Sequence, residues 1–400
     1  MSGTEELRGA LEAALPERPF RLELWDGSAL ASTNGGGGPT FRLRSPLALG
    51  HVLRAPGQLG VGRAYVSGEV QVDDLDAALE LLDGWQAPPL DARAKARIAA
   101  GAVRAGALRR LPRAPAAELR PRGRRHSVAR DRRSVRHHYD VSNDFFRLML
   151  GESMTYSMAV WSRGASTLEE AQRTKLELVC TKLELQPGQR VLDVGCGWGS
   201  FALHAAGEHG VHVTGITLSE EQAALARERA AAAGLADRVD IRVADYRELR
   251  GETYDAIASI GMVEHVGSAN IDLYAAHLRS VLAPGGRLLN HGIARLRVGD
   301  PEAGPFSERF VFPDAAPLHL SRIQAAVERS GLFTRHVEGF AADYAHTLRA
   351  WLANLERHDA EATALAGEER MRVWRLYLRA ARRGFESGFT GVYQVLAERV

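Results

Sequence analysis

Only two cysteines, Cys180 and Cys196, occur in 400 residues. This excludes a disulfide framework and a cysteine-rich zinc site, and it favours a reducing compartment. Long hydrophobic runs are also missing, and none approaches the ~18 residues of a spanning helix. The first residues carry acids at Glu5 and Glu6 and no apolar core, so a secretory signal is not expected and the chain reads as cytoplasmic. Strong net charge is lacking too, with Lys+Arg 51 against Asp+Glu 49. Charged residues at 25% and hydrophobic ones at 45% suit a globular protein and argue against global disorder. The length exceeds one ordinary domain and suggests two or three.

The near-neutral total conceals one stretch almost without acid. From Arg93 to Arg136 there are fifteen Lys or Arg and only two acids, Glu118 and Asp131. Pro112, Pro115 and Pro121 break its second half, so it reads as a partly helical, then extended, basic linker over 91–135. Three roles stay open for it: a solvated connector, a dock for anionic phospholipid headgroups, or a nucleic-acid contact. The last is disfavoured because no aromatic residue interleaves with the arginines. The linker separates an N-terminal domain over 1–90 from a domain over 136–400. The first alternates short extended stretches at 20–25, 40–45 and 64–72 with glycine-rich turns, then reads as helical at 73–85, a small α+β domain.

The larger domain alternates apolar strands with amphipathic helices. Strands are expected at 190–195, 212–217, 239–244, 254–260 and 286–293, and a helix at 219–234 with Ser219 as its cap. This order implies an α/β fold with a parallel, doubly wound sheet. The last fifty residues read as helical. In Val191-Leu-Asp193-Val-Gly195-Cys-Gly197-Trp-Gly199-Ser200 a buried strand runs into alternate glycines and then a helix. Such glycines let the backbone turn tightly beneath a ligand, and the helix start offers N–H groups. A dinucleotide fingerprint would place Gly or Ala where Ser200 stands, so NAD is the weaker reading. D-x-G-x-G-x-G looks like the first motif of class I S-adenosylmethionine (SAM) methyltransferases, in a Rossmann-like domain. Asp193 is then expected near the methionyl amino group. Thr217, Leu218 and Gln222 are expected near the ribose, and Asp245 with Tyr246 near the adenine.

Five further segments narrow the class: His138 to Phe146, Met154 to Trp161, GITLSEEQ at 215–222, Ser259 to Gly267, and Phe312-Pro-Asp314. With the glycine loop they resemble the cyclopropane-fatty-acid and mycolic-acid cyclopropane synthase family. LGVGRAYVSGEVQVDD at 59–74 also resembles the extra domain of its longer, phospholipid-acting bacterial members. The resemblance implies SAM-dependent methylation of a cis double bond in a lipid acyl chain. It also implies a bound bicarbonate as base, held at Glu264, His291, Ile293, Tyr344 and position 158, with Tyr156 and Ser157 on the loop that closes over SAM. His265 is read as structural, and His137 and His138 do not complete a metal set, so no metal is expected.

One position departs from the family. It commonly has cysteine where Met158 stands, and a thioether cannot donate a hydrogen bond. The product therefore stays open between a cyclopropane and an exocyclic methylene, the latter needing a reductase partner. Loss of turnover, leaving a SAM- and lipid-binding protein, is the other outcome. The expected partner is an unsaturated phospholipid at the inner membrane surface, with no nucleic acid. A homodimer and the role of the first domain are left open.

Overall fold

The computed structural model describes residues 2–120, 123–128, 130–133, 142–299 and 304–400. The chain forms two compact units. Unit 1 comprises Met1–Leu119, Gly304–Val311 and Gly367–Ala380, and unit 2 comprises Arg120–Ala303, Phe312–Ala366 and Ala381–Val400.

Unit 1 opens with helix α1 (Gly3–Ala14), where Ser2 and Glu5 satisfy each other's backbone N–H groups in a capping box. A small sheet follows in the order β2-β1-β3-β4, from β1 (Arg21–Glu23), β2 (Ala29–Leu30), β3 (Thr40–Leu43) and β4 (Val70–Val72). Helices α2 (Leu47–Arg54) and α3 (Gln58–Val66) lie between β3 and β4. The stretch 64–72, expected to be extended throughout, is therefore half helical. Ala64, Tyr65 and Val66 are buried as the last turn of α3, and Gly68, with φ of +80°, redirects the chain into β4. Helix α4 (Leu75–Gly84) starts where Asp74 accepts the Ala77 N–H.

The first part of the basic stretch is folded structure. Helix α5 (Ala92–Arg104) is capped by Asp91 and crosses α1 so closely that a Cβ on Gly101 would lie 2.9 Å from the Leu7 Cα. Glu118, its side chain fully buried, accepts two hydrogen bonds from the Arg63 guanidinium at 2.6 and 2.7 Å. This charge is paired in the bidentate geometry that makes burial tolerable.

Unit 2 is built on a seven-stranded sheet in the order β10-β11-β9-β8-β5-β6-β7. The strands are β5 (Arg190–Val194), β6 (His212–Thr217), β7 (Val239–Val243), β8 (Tyr254–Ile260), β9 (Leu282–Arg295), β10 (Phe333–Gly339) and β11 (Thr390–Glu398). Strands β7 through β9 run parallel, while β11 is antiparallel to both β9 and β10. Five of the seven match the sequence reading. The tail does not end helical: Gly388, with φ of +72°, closes the Glu368–Glu386 helix. The alternating segment Thr390–Glu398 then becomes an interior strand, between the edge strand β10 and β9.

Two buried apolar clusters cover the sheet. One includes Leu192, Val194, Ile257, Leu288 and Tyr274, and the other Val191, Val213, Ala258, Leu289 and Phe201. Neighbouring strand residues feed opposite clusters, which is the two-sided burial a parallel sheet needs. Strand order reverses between β5 and β8, so the cleft outside their C-terminal ends is the place for a ligand. Among the described residues no helix is long and apolar enough to cross a membrane.

Candidate active site

A cavity of about 140 Å³ opens at that switch point. Gly195, Gly197, Thr217, Leu218, Gln222, Asp245 and Tyr246 all line it, joined by Met262, His265 and Phe312. Gly195 and Gly197 have φ of +78° and +55°, a backbone that other residues adopt only with strain. Gly199 has a different job. A Cβ there would sit 3.2 Å from the Ala226 side chain, so this glycine lets helix α8 (Ser200–His209) approach α9 (Glu220–Ala232) and does not line the cavity. Gln222 is held by the Thr217 hydroxyl at 2.7 Å. Both oxygens of Asp245 accept from the Arg247 guanidinium, at 2.6 and 2.7 Å, and Arg247 also pairs with Asp131 at 2.7 Å. The expected adenine acceptor is thus one member of a charged wall that sequence reading missed.

The segment from Ser153 to Ser162 is pinned from four helices. Helix α7 (Leu168–Leu183) supplies Gln172, whose amide donates to the carbonyls of Thr155 and Ser157, and Lys175, whose Nζ donates to Ser157 Oγ at 2.9 Å. Ser200 and Arg229 donate to the Ser153 carbonyl. Asp343 and Thr347 of α12 (Ala341–Arg357) accept from the N–H groups of Trp161, Ser162 and Ala159. Unit 2 also contains helices α6 (Asn143–Leu150), α10 (Ile271–Val281) and α11 (Leu320–Arg329).

Lys175 is 1% exposed and lies in the field of Asp193, itself buried in β5 with Oδ2 lacking a hydrogen-bond partner. Burial pushes the ammonium down to about 7, with Asp193 opposing, and pushes the Asp193 carboxyl up to about 7, with Lys175 opposing. Neither partner is comfortable as an ion without the other. The pair links the glycine-loop strand to Ser157 on the covering segment.

Glu264 and His291 occupy the neighbouring strand ends. Glu264 lies in the short helix Val263–His265 after β8 and is 7% exposed. Its Oε1 accepts the Ile293 N–H at 3.0 Å, and its Oε2 is buried without a partner. Ile293, expected at the bicarbonate site, has its N–H committed to Glu264. Burial raises the Glu264 carboxyl to about 7, so it holds its proton into the neutral range.

His291, 2% exposed, pairs in register with Ile260 of β8 and Gln394 of β11. Its Nδ1 lies 3.2 Å from Gln394 Nε2, while Lys182 Nζ donates to Gln394 Oε1 at 2.6 Å. A lysine only donates, so it fixes the amide orientation. The amide NH₂ then donates to Nδ1, leaving the proton on Nε2. Burial, with Lys175 and Lys182, lowers the imidazole to about 3, so it is neutral. Its Nε2–H is buried and without a partner. Glu264 Oε2 and His291 Nε2 are thus buried polar atoms of the site with no partner, as Asp193 Oδ2 is.

Gln394→Glu should accept from Nδ1–H instead and strip the proton from Nε2. Turnover should then fall on the order of 10–100-fold, as for outer partners of other ligating histidines. SAM affinity should not change, and the imidazole ¹⁵N shifts should report the tautomer. An unchanged tautomer would separate Gln394 from this role.

Aromatic rings enclose the space beside the covering segment. Tyr156 lies 5.8 Å from Phe146, 5.2 Å from Trp351 and 6.3 Å from Phe312, centroid to centroid. Tyr344 is buried against Trp351 at 6.1 Å and Phe385 at 4.6 Å. Met158 is fully buried. Phe145, Phe146, Met149 and Leu150 are buried as well, and Leu148 is half-buried. His265 rests against Phe312 at 5.5 Å.

Elsewhere in unit 2, Cys180, His204 and His209 bring donor atoms within 4.8 Å of one another, but both imidazoles already bond the Glu177 carboxylate, at 3.2 and 3.0 Å. His137 and His138 lie outside the described residues. Late members of the basic stretch are also committed: Arg125 and Arg130 to Asp314, and Arg132 to Glu248.

A parallel sheet reversing at a glycine loop, with a lined cavity at the reversal, is the architecture of class I SAM-dependent methyltransferases. The mycolic acid cyclopropane synthase CmaA1, solved with SAH and CTAB, superposes with a TM-score of 0.64 at 31% identity, covering 69% of this chain and 99% of that one. Residues 126–395 match the family described as mycolic acid cyclopropane synthetase. A probable fatty acid methyltransferase of Mycobacterium tuberculosis, Rv3720, is 40% identical over 398 residues, spanning 97% of this chain and 92% of that protein. The cyclopropane-fatty-acyl-phospholipid synthase of Escherichia coli K12 is 33% identical over 370 residues, 92% of this chain and 89% of that protein. The chain belongs to the mycolic acid cyclopropane synthetase family and is a SAM-dependent methyltransferase.

Proposed function

We propose that this enzyme transfers the methyl group of SAM to the cis double bond of an unsaturated phospholipid acyl chain and closes a cyclopropane. The observation that carries the reading is the pair of buried, unpartnered polar atoms, Glu264 Oε2 and His291 Nε2. An amine or hydroxyl methyltransferase has no need of two such hydrogen-bonding groups buried at neighbouring strand ends.

SAM supplies an electrophilic methyl on a sulfonium. Gly195, Gly197, Thr217, Leu218, Gln222 and Tyr246 would cradle it, and the unpartnered Asp193 Oδ2 suits its amino group. Tyr156 and Ser157, held by Gln172 and Lys175, would cover it. An alkene is a weak nucleophile, so this pinned segment must hold the reacting carbons close and in line. Attack leaves a carbocation on the acyl chain. The faces of Tyr156, Phe312 and Trp351 offer it electron-rich surface without water. Bicarbonate, bound there, supplies a base. The neutral Glu264 carboxyl, His291 Nε2–H and the Tyr344 hydroxyl are donors that suit its oxygens. The exposed Arg109, Arg110 and Arg113 of the basic segment would bring the enzyme to the anionic inner leaflet, where each Lys or Arg near the surface adds roughly 1 kcal/mol.

Met158 favours a second reading. A thioether where relatives carry a thiol removes one donor beside the base, which would let a hydride shift precede proton loss and leave an exocyclic methylene for a reductase partner. Incubation with SAM and oleoyl phospholipid, followed by mass spectrometry and NMR, separates the cases, since both products gain the same mass. Cyclopropane protons support the first reading, olefinic methylene protons the second, and an unmodified lipid removes both. Met158→Cys should keep activity. In a methylene-forming enzyme it should shift product toward cyclopropane, and an unshifted ratio would clear Met158 of that role.

A further inference from the structure

Unit 1 carries a second cavity, of about 310 Å³, in which methyl transfer has no part. Arg372, Arg375 and Arg379 line one wall, spaced so that a helix presents all three on one face. Arg42 of β3 and Gln71 of β4 line another, with Tyr65 of α3 and Asp73 completing the polar lining. Four guanidinium groups thus meet one carboxylate in the wall, and the Asp73 Oδ1 is bonded to the Thr40 N–H at 2.8 Å. Other acids steady the arginines from outside the lining: Glu23 takes Arg42 at 2.7 Å, Asp76 takes Arg379 at 3.1 Å, and Glu368 lies 3.9 Å from Arg372.

Stacking three like charges on one helix face costs stability, and a neutral, packed wall would serve a purely structural contact better. Tyr65 sharpens the point. It is 8% exposed and all three helix arginines act on it, yet burial still holds its hydroxyl above the usual range, so it stays a neutral donor. The cavity is lined by donors drawn from a helix, two strands and a tyrosine.

We propose that this cavity is a phosphate-binding site, taking the phosphate of a mono- or diester through Arg372, Arg375, Arg379, Arg42 and the Tyr65 hydroxyl. Guanidinium forks match phosphate oxygens in a way that ammonium groups do not. The proposal stands whether or not the acyl substrate is a phospholipid, because it is read from binding alone.

The test titrates the full chain with inorganic phosphate and with the soluble diester glycerophosphoglycerol, followed by calorimetry. Saturable binding is expected, weakened about tenfold or more by Arg375→Gln, the loss of one charge-assisted contact, and weakened less by Arg375→Lys, which keeps the charge and loses the fork. SAM affinity and the thermal midpoint serve as controls for folding and should hold in both variants. A second arm uses phosphatidylcholine vesicles with and without phosphatidylglycerol. Weaker binding of Arg375→Gln to the anionic vesicles, with competition by the soluble diester, assigns the site to a lipid headgroup. Unchanged vesicle binding with lost phosphate binding assigns it to a free phosphate compound. No saturable phosphate binding, or binding that Arg375→Gln leaves intact, overturns the proposal.

Discussion

Glu264→Ala is expected to lower kcat by roughly 10²–10⁴-fold, the range lost when a positioned proton-transfer group goes. SAM affinity should be essentially unchanged, because Glu264 does not line the glycine-loop cavity. Loss of both together would mean that the two sites are one. Glu264→Gln should retain more activity than the alanine variant, since an amide still donates where the neutral carboxyl donates. The same carboxyl leaves a mark on stability. Its folded pKa of about 7 lies above the ordinary 4.5. Between those values the folded protein holds a proton that the unfolded chain has released, so stability falls as pH rises through the window and is level above it. The loss amounts to about 3 kcal/mol. Glu264→Gln should reduce that slope in denaturant titrations from acid to neutral pH and leave the part that Asp193 contributes, and an unaltered slope would assign it to other groups.

Lys175→Met should reduce both SAM affinity and stability. It strips Ser157 of its donor and leaves Asp193 buried without a cation. The two groups act through their field and not through a contact ion pair, so the loss is that of a buried group left unsatisfied, about 1–3 kcal/mol. For the methyltransferase unit that is a fall in Tm of roughly 5 °C. Adding Asp193→Asn removes the stranded carboxyl and should restore most of the stability but none of the SAM affinity. Such non-additivity in stability alone marks a coupled pair that also serves the ligand. If Lys175→Met binds SAM as the parent does, the covering segment does not depend on this lysine.

Much of this was legible in the sequence, for definite reasons. The glycine loop and β5 through β8 announce themselves locally, because a buried parallel strand is a short apolar run ending in turn residues. Seven of the expected SAM residues do line one cavity. Lys175, Gln172 and Gln394 were not found. Each is a polar residue buried through contacts made across the fold: α7 to the covering segment, or β11 to β9. A lysine at helical spacing among Leu176, Val179 and Cys180 does suggest an inward position, which was the available signal. Strand β11 was missed because it follows a long helix and closes on a partner about a hundred residues earlier. The basic stretch looked like a connector because composition shows charge and not partners. Asp314, Glu248 and the α1–α5 crossing are what turn parts of it into structure.

Strand β9 runs fourteen residues, bonded on one side to β8 and on the other to β11. His291 meets Gln394 and Ile293 meets Glu264 only because of that double register. Side chains alternate along a strand, so a single-residue insertion between Arg287 and Asn290 would turn the imidazole to the opposite face and offer the flanking residue in its place. Insertions in surface loops of unit 2 are tolerable by comparison, since no such phase is lost. The chemistry of this protein is thus vulnerable to a frame of one residue in one strand. A deletion scan along β9 should show abrupt, all-or-none loss of turnover, while the same scan through the turns shows a gradient.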